Sequence, residues 1–123
     1  MDFLPSPATN GGQIREPGIV MSLVYLCAVG QLGEEEILKV ELPGRAAIAV
    51  YKVNGIFFAT DDLCTHGDAS LSEGLIDDGQ IICPYHGGMF DIASGEPVGI
   101  PCLIPLQTYS VSIEKGDVYA DLS

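Results

Sequence analysis

Positive charge is almost missing from this chain: Lys and Arg total five against 17 Asp and Glu, a formal net charge of -12 over 123 residues. So acidic a protein repels a phosphate backbone, which argues against nucleic-acid binding. No apolar run approaches the roughly 20 residues that cross a bilayer, and the start Met1-Asp2 lacks the basic segment of an export signal. The expectation is a soluble, cytoplasmic protein with no membrane role. There is no glycine-rich dinucleotide fingerprint and no room for a flavin domain, so a reductase is ruled out. At this length, with 47% hydrophobic residues, the chain builds one domain with one modest core, and a second, catalytic domain does not fit.

No segment carries a sustained helical period; the best candidate, around residues 30–36, amounts to a turn or two. Instead, short runs rich in Val, Ile and Tyr alternate with Gly, Pro, Asn and Asp, the pattern of antiparallel strands joined by turns. Strands are predicted at 23–29, 36–41, 46–53, 56–60, 80–82, 89–92, 108–113 and 117–121. Asn54-Gly55 marks a two-residue hairpin, because both central residues must accept positive φ, and Lys115-Gly116-Asp117 marks a second turn. Residues 1–20, with Pro5, Pro7, Gly11, Gly12, Pro17 and Gly18, read as an irregular arm ahead of a domain spanning 21–123.

Histidine is scarce as well. The only two sit in Cys64-Thr65-His66 and Cys83-Pro84-Tyr85-His86, which also use two of the four cysteines. These two hooks, 16 residues apart, offer two thiolates and two imidazoles to a metal, and each is followed by a Gly that permits a tight turn (Gly67, Gly87). Soft sulfur with borderline nitrogen narrows the metal to zinc or to an iron-sulfur cluster of mixed ligation. Zinc ribbons normally repeat one spacing, whereas here one hook has one spacer residue and the other has two. The remaining cysteines read as small core residues: Cys27 lies within the apolar run Leu23-Val24-Tyr25-Leu26-Cys27-Ala28-Val29, and Cys102 between Pro101 and Leu103.

Cys-x-His followed by Cys-x2-His resembles the Rieske motif, in which two Cys bind one iron of a 2Fe-2S cluster and two His bind the other. Residues 61–96, DDLCTHGDASLSEGLIDDGQIICPYHGGMFDIASGE, resemble the cluster-binding half of the ferredoxins that serve bacterial aromatic-ring dioxygenases, and the flanking strands near 23–29 and 109–113 are similar too. The resemblance covers roughly the last hundred residues. It implies an all-β fold, a small antiparallel Rieske-type barrel or sandwich with a cluster-binding sub-domain of two loops. It implies one 2Fe-2S cluster, held by Cys64 and Cys83 on the inner iron and by His66 and His86 on the outer one.

Both histidines are then committed, leaving none for the mononuclear iron of an oxygenase subunit. What remains is a non-enzymatic one-electron carrier between a flavin-dependent NAD(P)H reductase and a terminal oxygenase. The alternatives are the small subunit of an assimilatory nitrite reductase and a zinc-stabilised interaction module. No Lys or Arg occurs between Lys52 and Lys115, while nine carboxylates do, so the cluster half is the acidic half. That pattern fits either a solvated surface or steering toward partners with basic docking faces. High-potential respiratory relatives carry a Ser two residues and a Tyr four residues beyond the second His, where this chain has Gly88 and Phe90. Ala69 and Tyr85 stand where those relatives place a disulfide between the loops. The two missing hydroxyl donors, with the acidic surroundings, imply a potential near the low end of the Rieske range, about -150 mV.

Overall fold

The computed structural model describes residues 23–65, 68–84, 87–99 and 104–122. The expected arm at 1–20, His66, His86, Tyr85 and Cys102 lie outside them.

Among the described residues, ten strands form two antiparallel sheets. The larger has the order β1-β10-β9-β4-β3-β2, from β1 (Leu23–Ala28), β2 (Ile37–Val40), β3 (Ile48–Val53), β4 (Ile56–Asp61), β9 (Thr108–Glu114) and β10 (Asp117–Asp121). The smaller has the order β5-β6-β7-β8, from β5 (Leu75–Asp77), β6 (Gln80–Ile82), β7 (Met89–Asp91) and β8 (Pro97–Gly99). Three-residue 3-10 turns at Val29–Gln31 and Leu71–Glu73 are the only helical elements among the described residues.

Strand β3 explains how the two sheets join. Alternate side chains of a strand point to opposite faces, and nearly every residue of β3 is buried. Ile48 and Val50 enter one core with Leu26, Cys27, Ala59, Val118 and Ala120, all from the large sheet. Ala49, Tyr51 and Val53 enter a second core with Cys64, Leu71, Ile81, Cys83, Phe90 and Ile92. The large sheet therefore packs its own core on one side of β3 and receives the four-stranded sheet on the other. Each fully buried Val, Ile or Phe contributes about 1.5–3 kcal/mol of transfer free energy, so β3 couples the folding of the two parts.

The predicted hairpin forms, with φ of +52° and +77° at Asn54-Gly55, and the second predicted turn is a hairpin of the same kind, with +52° and +81° at Lys115-Gly116. A third of the same kind, Asp78-Gly79, joins β5 to β6. Strands β5 and β8 were not expected. Each has three residues, too few to show a period, and β8 begins on Pro97, tolerated because β8 is a sheet edge and the proline stands first.

Cys27 is 1% exposed and forms no disulfide. Burial, reinforced by the nearby Asp117 carboxylate, pushes its thiol pKa up. A protonated, enclosed thiol is a poor nucleophile. Iodoacetamide at pH 8 is expected to leave Cys27 unmodified in the native protein and to alkylate it in denaturant. Peptide mapping that finds native labelling at the denatured rate would contradict this burial.

Candidate metal centre

The two hooks have different ligand spacings but the same frame. Cys64 N–H donates to the Ala69 carbonyl at 2.9 Å and Cys83 N–H to the Gly88 carbonyl at 2.7 Å, so each loop closes on the residue five positions after its cysteine. The first loop stands on an isolated bridge between Leu63 and Ser70. The second is the tip of the β6–β7 hairpin, whose last pair is Ile82 with Met89. Each cysteine thus sits one residue beyond the last strand pair of its hairpin, held by a backbone bond. At Gly87 φ is +69°, the left-handed conformation expected of this turn.

The structure brings the two cysteines into one buried cluster, Cys64 at 2% and Cys83 at 1% exposure, walled by Ala69, Leu71, Ile81 and Phe90. Two sulfur donors in an apolar enclosure, each followed by an imidazole two or three residues on, make a donor set that fits a cluster of mixed ligation. Phe90 is fully buried, and Met89 is half-buried. Thr65 Oγ1 donates to the Ile104 carbonyl at 2.9 Å, which ties the first loop to the segment leading into β9.

Polar side chains support the loops from below. Tyr51 OH lies 2.8 Å from Thr60 Oγ1, which itself donates to the Asp61 carbonyl at 2.8 Å, so the tyrosine is the donor to the threonine. Burial pushes the Tyr51 pKa up, with further upward contributions from Asp62 and Cys64. The adjacent acids face different partners. Asp61 Oδ1 accepts from Tyr109 OH at 2.6 Å and from Arg45 Nη2 at 3.0 Å. Asp62, 3% exposed, accepts from Ser70 Oγ and, at 2.9 Å, from Ser72 N–H. Of the nine carboxylates in the acidic half, Asp62 is therefore buried and Asp61 is paired with Arg45. Asp68, Glu73, Asp77, Asp78, Glu96 and Glu114 are exposed.

Two antiparallel sheets thus carry two cysteine loops that meet in one buried cluster, and the comparisons give the family. Residues 22–110 match the Rieske 2Fe-2S domain, and the chain belongs to that family. It is 48% identical over 101 residues to the ferredoxin component of the p-cumate 2,3-dioxygenase system of Pseudomonas putida, covering 81% of this chain and 86% of that one. The solved Sphingomonas yanoikuyae B1 ferredoxin is similar at 45% identity and a TM-score of 0.79, over 83% of this chain and 100% of that one. So is a chain in the complex of reduced oxygenase and oxidized ferredoxin in carbazole 1,9a-dioxygenase, at 42% identity and a TM-score of 0.78, over 80% and 92%. The protein is accordingly a Rieske-type electron carrier with a 2Fe-2S cluster.

Proposed function

We propose that this protein accepts electrons from a flavin-dependent NAD(P)H reductase and delivers them singly to the terminal oxygenase of an aromatic-ring-hydroxylating dioxygenase system. It would work in the cytoplasm and perform no catalysis of its own. The observation that carries this reading is the 48% identity across most of a dioxygenase ferredoxin component, on a chain whose two cysteine loops share one buried cluster. Cys64 and Cys83 would hold the inner iron, and His66 and His86 the outer one. When bound, the cluster supplies reversible one-electron chemistry. Residues 21–123 would form the carrier domain, and 1–20 an arm outside it; the family match over 22–110 supports this division.

The chain's own contribution is placement and insulation. The backbone bonds at Cys64 and Cys83 close the two loops, and Phe90, Ile81 and Leu71, buried in the same cluster as the cysteines, would shield the inner iron from water. Stopped-flow mixing of the pre-reduced protein with an oxidised dioxygenase should show a single electron passing. Transfer to a nitrite reductase in place of the oxygenase would overturn the reading in favour of the small-subunit alternative. A colourless protein with zinc and no acid-labile sulfide would overturn both.

The exposed carboxylates at Asp68, Glu73 and Glu96 belong to the cluster half and support docking on basic partner faces. Raising ionic strength from about 0.01 M to 0.15 M shortens the Debye length from roughly 30 to 8 Å. Electron delivery to the oxygenase is expected to slow by on the order of tenfold over that range. Flat rates would retire steering while leaving the carrier role intact.

A further inference from the structure

Asp62 is one of only two polar residues buried in the core among the described residues, the other being Thr60. A buried carboxylate is costly unless its oxygens are satisfied. Here they are satisfied by one structural feature, the first ligand loop. The loop leaves the core at Asp62, two residues before Cys64, and returns at Ser70 and Ser72. Ser70 Oγ donates to Oδ2, and Ser72 N–H donates to Oδ1 at 2.9 Å. Because Ser70 is already a donor to the carboxylate, Ser72 Oγ donates to Ser70 Oγ at 2.8 Å. The backbone completes the clamp: Asp62 N–H donates to the Ala47 carbonyl at 3.0 Å, and Leu71 N–H donates to the Asp62 carbonyl at 2.7 Å. Both feet of the loop are thus tied to a single residue.

Among the described residues, the same carboxylate has one basic neighbour. Lys39 Nζ on β2 stands 3.9 Å from Oδ2 and 3.8 Å from Glu41 Oε2, with 43% of its side chain exposed. A half-exposed lysine only partly screens a carboxylate that is 5% exposed. Asp62 precedes Cys64 by two residues, and Cys64 N–H closes the same loop on the Ala69 carbonyl, next to Ser70.

We propose that Asp62 is a positioning residue for the first ligand loop, and that its negative charge, with Lys39 as counter-ion, lowers the reduction potential of the protein. Reduction adds negative charge at the loop, which a fixed carboxylate opposes and an ammonium favours. The inference rests on the assignment of Cys64 and His66 as ligands.

The test compares Asp62→Asn, Lys39→Met and Glu114→Gln in the iron-loaded protein by voltammetry, with the visible spectrum and iron and sulfide content as controls. Asn keeps an acceptor for Ser72 N–H, and Ser70 can reverse its hydroxyl to accept from the amide, so the loop shape is retained while the charge is lost. Glu114 is an exposed carboxylate at the far end of β9 from Asp61, so its replacement changes net charge alone. Asp62→Asn is expected to shift the potential upward, Lys39→Met downward, and Glu114→Gln to leave it unchanged. A residue that only shapes the loop would not give shifts of opposite sign for the two partners. If Asp62→Asn does not fold, Lys39→Met against Glu114→Gln decides alone. Any pattern other than the stated one overturns the proposal. Cys64→Ala, measured alongside, separates the two failures: retention of the native spectrum there would mean that the ligand assignment, and not the role of Asp62, is wrong.

Discussion

Alanine at any one of Cys64, Cys83, His66 or His86 is expected to yield protein with little or no 2Fe-2S absorption and with iron and acid-labile sulfide near zero. Serine at Cys27 or at Cys102 is expected to leave the spectrum intact. The difference follows from where the sulfurs sit. Cys64 and Cys83 end two equal hairpin frames and share one buried cluster, whereas Cys27 belongs to the opposite core, on the other face of β3. Losing either loop cysteine removes a quarter of the donor set and leaves its loop with a single histidine donor. Because a group bound only by the folded state stabilises it, the same variants should melt at lower temperature than the loaded protein. The serine variants should not. A His variant that kept the native spectrum, or a Cys27→Ser variant that lost it, would refute the ligand assignment.

How much of this was legible beforehand depended on whether the partners are near in sequence. Asn54-Gly55 and Lys115-Gly116 announced their hairpins because a turn is a local event, and all eight predicted strands have counterparts in the structure. Strands β5 and β8 were hidden by their length: Leu75–Asp77 and Pro97–Gly99 are held in place by neighbours, not by any pattern of their own. The cysteine hooks were visible from residue type and spacing. Their common frame was not, since Cys-x-His and Cys-x2-His look unequal until the bonds to Ala69 and Gly88 are seen. Asp62 was the largest omission. In the string DDLCTH nothing distinguishes a buried acid from an exposed one. Its burial is stabilised by Ala47, Ser70, Ser72 and Lys39, which the fold brings together from three places. A buried charge with distant partners leaves only a weak local signal.

Gly95→Ala is expected to destabilise the protein by about 2–4 kcal/mol, near the upper end for a single substitution. Two effects act at this position. Its φ is +79°, which costs an L-residue about 1 kcal/mol. An added Cβ would also lie 2.2 Å from the Leu106 carbonyl oxygen and 2.9 Å from Thr108 Cγ2. Neither neighbour yields easily. Leu106 N–H donates to the Gly95 carbonyl at 2.7 Å, and Gly95 N–H donates to the Asp91 carbonyl at 2.7 Å, so this glycine stitches the β7–β8 turn to the segment entering β9. Gly55 separates the two causes, since its φ is +77° and nothing lies within 4 Å of an added Cβ. Gly55→Ala should therefore cost only the conformational share, about 1 kcal/mol. Gly74→Ala has the contact without the positive φ: its Cβ would lie 2.1 Å from the Ile82 carbonyl oxygen, next to Cys83. Its cost should be that of overpacking, about 1–3 kcal/mol, with faster loss of the cluster as β6 shifts. Urea midpoints of the three iron-loaded variants, compared at equal m-values, give the ranking. A Gly95→Ala variant no weaker than Gly55→Ala would show that the β7–β8 turn and the Leu106 segment move apart freely, and that the two sheets are not stitched at this point.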